Sequence, residues 1–190
     1  QTLTVTLPPG PVFVNGDAAR LEQVMSNLLS NATKYTPRGG TVTVSVRADD
    51  GQVITTISDT GRGIADAALE RIFHLFAQEG DADAARSGLG IGLALARAVV
   101  DAHGGAIRAS SAGEGRGSEF TVILPEVEMD GAGMQRAAPA TCTGQRILIV
   151  DDSADSADSM AELLIVLGHD ARPAYTGPRA LEMLREFTPD

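Results

Sequence analysis

Lysine is almost missing from this chain: of its fifteen basic residues only Lys34 is a lysine, and the rest are arginines. Twenty-five acidic residues outweigh them and leave a formal net charge of −10. That balance excludes nucleic acid as the main partner, because a phosphate backbone demands basic surface. It leaves room for a small anionic ligand, which needs only a few local donors. A single cysteine, Cys142, excludes an intrachain disulfide and any cysteine-based metal cluster, and reads as a spectator thiol in a linker. Tryptophan is absent and aromatics make up 4%, so Leu, Val, Ile and Ala must fill the core. No apolar run approaches the roughly eighteen residues that a membrane-spanning helix needs. No basic-then-apolar signal segment opens the chain either, so a cytoplasmic location is expected. The opening residue is Gln1 rather than Met, which reads as a piece of a longer protein whose membrane anchor, if it has one, lies elsewhere.

What is present is an ordinary globular composition, 43% hydrophobic and 21% charged over 190 residues, enough for one domain and part of another. Residues 2–7 alternate at period two and read as a strand, followed by a Pro-Pro-Gly-Pro break and a short strand at 12–14. Asp17 is placed to cap a long helix that ends before Pro37. Residues 41–48 and 52–59 carry the best hairpin signal, joined across Asp49-Asp50-Gly51. A short helix is expected near 66–72, a loop over 77–90, a second helix over 93–104 and a closing strand pair at 106–110 and 117–125. From 126 to 144 the periodicity vanishes into Gly, Ala, Pro and Thr, the composition of a flexible linker. An apolar strand resumes at 146–152, then a helix at 154–167, a strand near 170–175 and a helix from Pro178. This β-α-β-α order implies a parallel sheet.

The helix at 21–36 carries two chemistries. At about 100° per residue, Leu21, Val24, Met25, Leu28, Leu29, Ala32 and Tyr35 share one apolar arc. Arg20, Gln23, Asn27, Asn31 and Lys34 fall on a narrower arc beside it, and Glu22, Ser26, Ser30 and Thr33 on the remaining face. Asparagine is a mediocre helix former, so two of them one turn apart call for a reason. An amide oxygen suits a hard cation such as Mg²⁺, and a lysine suits phosphate. A solvated helix edge would account for the same letters.

Two glycine clusters follow. Asp59-Thr60-Gly61-Arg62-Gly63-Ile64 leaves a strand end, where a carboxylate can accept from an exocyclic amine while the backbone passes close to a flat ring. Gly88-Leu89-Gly90-Ile91-Gly92-Leu93 runs into the second helix, where backbone N–H groups suit phosphate oxygens. Taken singly, the first reads equally as a turn and the second as a plain loop-to-helix connection. The second is not a Walker A loop, for no Gly-Lys-Ser/Thr follows, and no strand directly precedes it as a dinucleotide fingerprint requires.

In combination, the Asn-bearing helix, D-T-G-R-G-I, Phe73 with Phe76, and G-L-G-I-G-L resemble the ATP-binding domain of sensor histidine kinases. That domain belongs to the Bergerat-fold superfamily shared with DNA gyrase, mismatch-repair ATPases and heat-shock chaperones. The resemblance covers residues 1–125, and H-G-G at 103–105 and G-R-G-S-E-F-T-V-I-L-P at 115–125 match how such domains finish. It implies an α/β two-layer sandwich that binds ATP with Mg²⁺. By the same resemblance, Asn31 holds the metal with Asn27 beside it. Lys34 neutralises phosphate charge, and Tyr35 packs near the nucleotide. Asp59 reads the adenine amino group, Gly61, Gly63 and Ile64 give the base room, and Phe73 and Phe76 anchor a lid over 72–88. Arg86 reaches the terminal phosphate, and Gly88, Leu89, Gly90, Gly92 and Leu93 line the triphosphate. His74 and His103 are expected at the lid and a helix end rather than in catalysis. Hydrolysing relatives carry a glutamate where Asn27 stands; an amide is a poor general base, so the expectation is transfer of the γ-phosphoryl rather than hydrolysis.

Residues 145–190 resemble the start of a response-regulator receiver domain, with Asp151 and Asp152 as its Mg²⁺-binding acidic pair at a strand end. Its phosphoacceptor aspartate would fall beyond Asp190, and two strands of five leave an unpaired edge, so loose packing is expected. The implied parent is a hybrid histidine kinase, a homodimer, with the 126–144 linker between the two units. Its implied partners are a histidine-bearing dimerisation domain and a receiver or response regulator downstream. None of His74, His103 or His169 stands in a phosphoacceptor context, so the segment itself, read as a monomer, is not expected to phosphorylate itself.

Overall fold

In the computed structural model, the residues described are 1–75, 77, 90–127 and 144–190. The first unit comprises β1 (Thr2–Thr6), α1 (Ala18–Tyr35), β2 (Thr41–Asp49), β3 (Gln52–Asp59), α2 (Asp66–Leu69), α3 (Gly92–Ala102), β4 (Ala106–Ser110) and β5 (Ser118–Pro125). The sheet order is β1-β2-β3-β5-β4. β1 runs parallel to β2, and the other pairs are antiparallel.

The local reasons are legible. The Asp17 carboxylate accepts from Ala19 N–H at 3.0 Å and Arg20 N–H at 3.2 Å, capping α1. The helix closes at Thr36, ahead of Pro37. The β2–β3 hairpin turns on Asp50 and Gly51, with φ of 48° and 70°; two left-handed residues form the type I′ turn whose twist matches that of paired strands. Val24, Leu28 and Ala32 of α1 meet Leu95, Val99 and Val100 of α3 and Ile57, Phe120 and Val122 of the sheet in one buried cluster. Helices on one face of a mixed sheet make the two-layer α/β sandwich that the sequence implied.

Two expected elements come out differently. Residues 12–14 form no strand; Val14 makes a single isolated bridge to Glu126, because the prolines at 8, 9 and 11 remove the donors a ladder needs. The short helix ends at Leu69 and continues as turns to Leu75.

The second unit comprises β6 (Arg146–Val150), α4 (Ala154–Val166), β7 (Asp170–Ala174) and α5 (Gly177–Met183). β6 and β7 pair in parallel, and hydroxyls of Ser153 and Thr176 cap the two helices. Among the described residues β6 pairs with β7 alone, and Val150 and Leu181 stay 53% and 68% exposed. One contact was not legible in the sequence. Leu163 of α4 is only 4% exposed and joins the buried cluster of the first unit, with Met160 and Val166 packed against it.

Candidate functional site

The three faces read from the α1 sequence are realised. Val24, Leu28 and Ala32 are buried, while Arg20, Gln23, Asn27 and Asn31 are half-buried along one edge. Glu22, Ser26, Ser30 and Thr33 are exposed, as is Lys34 at the helix end. Asn27 Nδ2 donates to the Gly92 carbonyl at 3.3 Å, tying the amide stripe to the first residue of α3. A Cβ on Gly92 would sit 3.6 Å from the Asn27 amide carbon, an ordinary contact, so the approach of the two helices does not depend on glycine here.

Asp59, at the end of β3, is 8% exposed. A carboxylate that deep needs donors, and it has two: Gly61 N–H at 2.7 Å on one oxygen and the Ser118 hydroxyl on the other. Ser118 reaches it because Asp59 and Ser118 are cross-strand partners in the β3–β5 register. The sequence reading missed this residue. The signal for it lay in the pairing of two strand ends, which no local motif carries.

The turn after Asp59 is pressed against the C-terminal end of α1. Arg62 N–H donates to the Tyr35 carbonyl at 3.2 Å, and a Cβ on Gly61 would collide with that same oxygen. Gly63 adopts φ of 71°, with the Gly113 carbonyl where a side chain would go, so both positions require glycine. Ile64 N–H donates to Ser111 Oγ at 3.0 Å. An open groove of about 430 Å³ lies here, lined by Lys34, Tyr35, Thr36, Pro37, Thr60, Gly61, Arg62 and Gly115. The Arg62 guanidinium stacks 4.2 Å from the centre of the Tyr35 ring, with Lys34 Nζ at 5.2 Å on the same ring. The Arg62–Tyr35 stack was also not foreseen.

Phe73 packs edge-on to Phe120, with ring centres 6.4 Å apart, and Arg97 lies over its face at 5.8 Å. That fixes Phe73 to the sheet and to α3. Gly90, Gly92 and Leu93 are half-buried around the start of α3, with Gly90 at φ of 69°. Phe76, Arg86, Gly88, Leu89 and the rest of the expected lid beyond 72–75 and 77 lie outside the described residues. His103 ends α3: its Nδ1 meets the Val99 carbonyl at 2.7 Å and its Nε2 accepts from Asp17 N–H at 3.0 Å. It is a link between helices, away from the stripe. In the second unit, Asp151 at the end of β6 accepts from Ser153 N–H at 2.8 Å, and Asp152 beside it is exposed.

A two-layer sandwich in which a helix with an edge of amides meets a D-x-G-x-G turn at its C-terminal end defines a class. Residues 16–128 match the family of histidine kinase-, DNA gyrase B- and HSP90-like ATPases, and the chain belongs to it. Within that family its relatives are histidine kinases. It is 43% identical over 119 residues to the histidine protein kinase DivJ of Caulobacter vibrioides, an alignment covering 63% of this chain and 20% of DivJ. The mycobacterial sensor histidine kinase MprB superposes with a TM-score of 0.58 at 32% identity, covering 67% of this chain and 83% of that one. Full-length ShkA, solved in complex with AMPPNP, superposes with a TM-score of 0.57 at 27% identity over 95% of this chain and 36% of its own. The chain thus spans about a fifth of the length of DivJ. No helix among the described residues is long and apolar enough to cross a membrane.

Proposed function

We propose that residues 1–125 bind Mg-ATP and supply its γ-phosphoryl group to a histidine on a separate dimerisation domain, as the kinase half of a two-component phosphorelay. The observation that carries this reading is the direct packing of the Asp59–Gly63 turn onto the Tyr35 end of α1. In this reading the Asp59 carboxylate meets the adenine and the amide edge of α1 meets the phosphates, on either side of the contact that the turn makes with Tyr35. A hydrogen-bonded carboxylate accepts the exocyclic amine of adenine, which guanine lacks at that position. The Asn31 amide oxygen, assisted by Asn27, suits Mg²⁺, which takes few protein oxygens and completes its shell with phosphates and water. Mg²⁺, when bound, spreads the negative charge of the triphosphate.

The chain's own residues position and neutralise. Lys34 offers a point charge beside Tyr35, and the backbone entering α3 offers N–H groups to phosphate. Asn27 stands one turn before Asn31 and donates to Gly92; it takes no proton from water. Catalysis therefore consists of holding the γ-phosphoryl in line for an incoming imidazole. We assign residues 145–190 to the start of a receiver domain, with Asp151 and Asp152 as its acidic pair, joined through the 126–144 linker in a hybrid kinase.

The test is calorimetry of Mg-ATP binding together with transfer of γ-phosphoryl label to a separately made histidine-bearing dimerisation domain. Loss of transfer and of the Mg²⁺-dependent part of binding in Asn31→Ala supports the reading. Steady-state release of phosphate without an acceptor favours the second reading, a conformational ATPase of the same family, and absence of binding favours a non-catalytic scaffold.

A further inference from the structure

The turn that follows Asp59 is held along its length by a second segment. Residues 111–118, which lead from β4 into β5, run beside residues 59–64 in the reverse order. The Ser118 hydroxyl donates to Asp59. Gly117 N–H donates to the Gly61 carbonyl at 3.1 Å, and Gly115 N–H donates to the Arg62 carbonyl. The Gly113 carbonyl fills the space beside Gly63, and Ile64 N–H donates to Ser111 Oγ at 3.0 Å. Side chains enter this seam at its two ends, Ser118 at Asp59 and Ser111 at Ile64. Between them the links are backbone to backbone.

The Ser111 hydroxyl is used to capacity. A serine oxygen donates once and accepts twice. Here it accepts from Ile64 N–H at 3.0 Å and from Gly113 N–H at 3.2 Å. It donates to the Gly117 carbonyl at 2.7 Å, with the Gly113 carbonyl farther off at 3.3 Å. One oxygen thus closes the 111–117 loop on itself and pins the far end of the turn. Glycines at 113, 115 and 117, all at positive φ, give that loop little stiffness of its own, so its shape depends on such bonds.

We propose that Ser111 is a positioning residue for the nucleotide: through Ile64 and the glycine turn it holds the Asp59 carboxylate where an adenine amine meets it. This rests on the reading of Asp59 as the base contact. Without the Ser111 oxygen, Ile64 N–H and Gly113 N–H both lose their acceptor, and the seam opens from that end. Gly61 N–H, which orients one carboxylate oxygen at 2.7 Å, then moves with the turn. Among the described residues Ser111 makes no hydrogen bond to Asp59 or to the amide edge of α1. Its effect therefore falls on nucleotide affinity rather than on the transfer step.

Titration calorimetry of the full chain with Mg-ATP tests this. Ser111→Ala is expected to raise the Kd about three- to tenfold, the size of one lost hydrogen bond, and to speed exchange of the Ile64 amide hydrogen. Ser111→Thr keeps the hydroxyl and should bind within about twofold of wild type. In an Asp59→Asn background the same Ser111→Ala change should move the Kd by less than about twofold, because the contact it positions is already gone. In transfer to a separate histidine-bearing domain, the loss should appear in KM and not in the rate at saturating Mg-ATP. Where Ser111→Ala does not fold, Ser111→Cys, which keeps the shape and makes weak hydrogen bonds, is read in its place. An unchanged Kd, or an equal loss with and without the Asp59 carboxylate, would overturn the positioning role. If wild type binds no Mg-ATP, the nucleotide reading falls and this role with it; if wild type binds and the serine variants bind alike, this role alone falls.

Discussion

Replacing Asp59 by Asn probes the base-reading end of the groove with little change in shape. The carboxylate is 8% exposed and takes Gly61 N–H on one oxygen and the Ser118 hydroxyl on the other. An asparagine keeps its oxygen toward Gly61 and turns its amide toward Ser118, whose hydroxyl can rotate to accept. Folding therefore survives, at a cost of about 1 kcal/mol for exchanging a charged acceptor for a neutral one. The ligand fares worse. An exocyclic amine donating to a carboxylate makes a charge-assisted bond worth about 1.5–3 kcal/mol, which converts to a loss of roughly 10- to 150-fold in affinity. Isothermal titration with Mg-ATP reads the affinity, and thermal melting checks the fold. Ser118→Ala, which removes one donor and leaves the carboxylate, should weaken binding by less than Asp59→Asn. An Asp59→Asn protein that melts like wild type and binds Mg-ATP within about twofold would refute the assignment of Asp59 to the base.

Asn31→Ala should abolish the Mg²⁺-dependent part of ATP affinity, so titrations with and without EDTA should converge in that variant and diverge in wild type. Leu28 is fully buried, and Leu28→Ala should cost about 2–5 kcal/mol of stability in urea titration. A Cβ on Gly16 would collide with the His103 ring and approach Leu21, so Gly16→Ala should cost about 1–3 kcal/mol through overpacking, again in urea. Glu162 has its carboxyl held above the usual glutamate value, chiefly by burial and partly by Asp158, with Arg20 acting in the opposite sense. The folded state therefore holds that proton more tightly than the unfolded one, so this contribution is full below the ordinary glutamate pKa and is lost as pH rises through the raised value. Glu162→Gln should flatten that part of the stability–pH curve, read by thermal melts at stepped pH.

Much of this molecule was legible because its signals are local. The three faces of α1 follow from helical period alone, the hairpin from Asp50-Gly51 between alternating strands, and the stop of α1 from Pro37. The glycine motifs place Gly61 and Gly63 where backbone oxygens leave no room for a Cβ. What escaped depends on register and on distant packing. Ser118 reaches Asp59 only because two strand ends pair, and Arg62 meets the Tyr35 ring because the turn folds onto α1. The row of Met160, Leu163 and Val166 on α4 reads from sequence as ordinary core. Its partner lies on another unit, so periodicity cannot name it. The segment at 12–14 misled for the opposite reason: its Val-Phe-Val pattern is right for a strand, and the neighbouring prolines override it.

The most direct measurement of the central claim is the fate of the γ-phosphoryl group. The chain is mixed with γ-labelled Mg-ATP, with and without a separate histidine-bearing dimerisation domain. Label should move to the histidine only when that domain is present, should vanish with Asn31→Ala, and little phosphate should be released without an acceptor. Sustained phosphate release in the absence of the domain, with no label on the histidine when it is added, would contradict a site built for transfer.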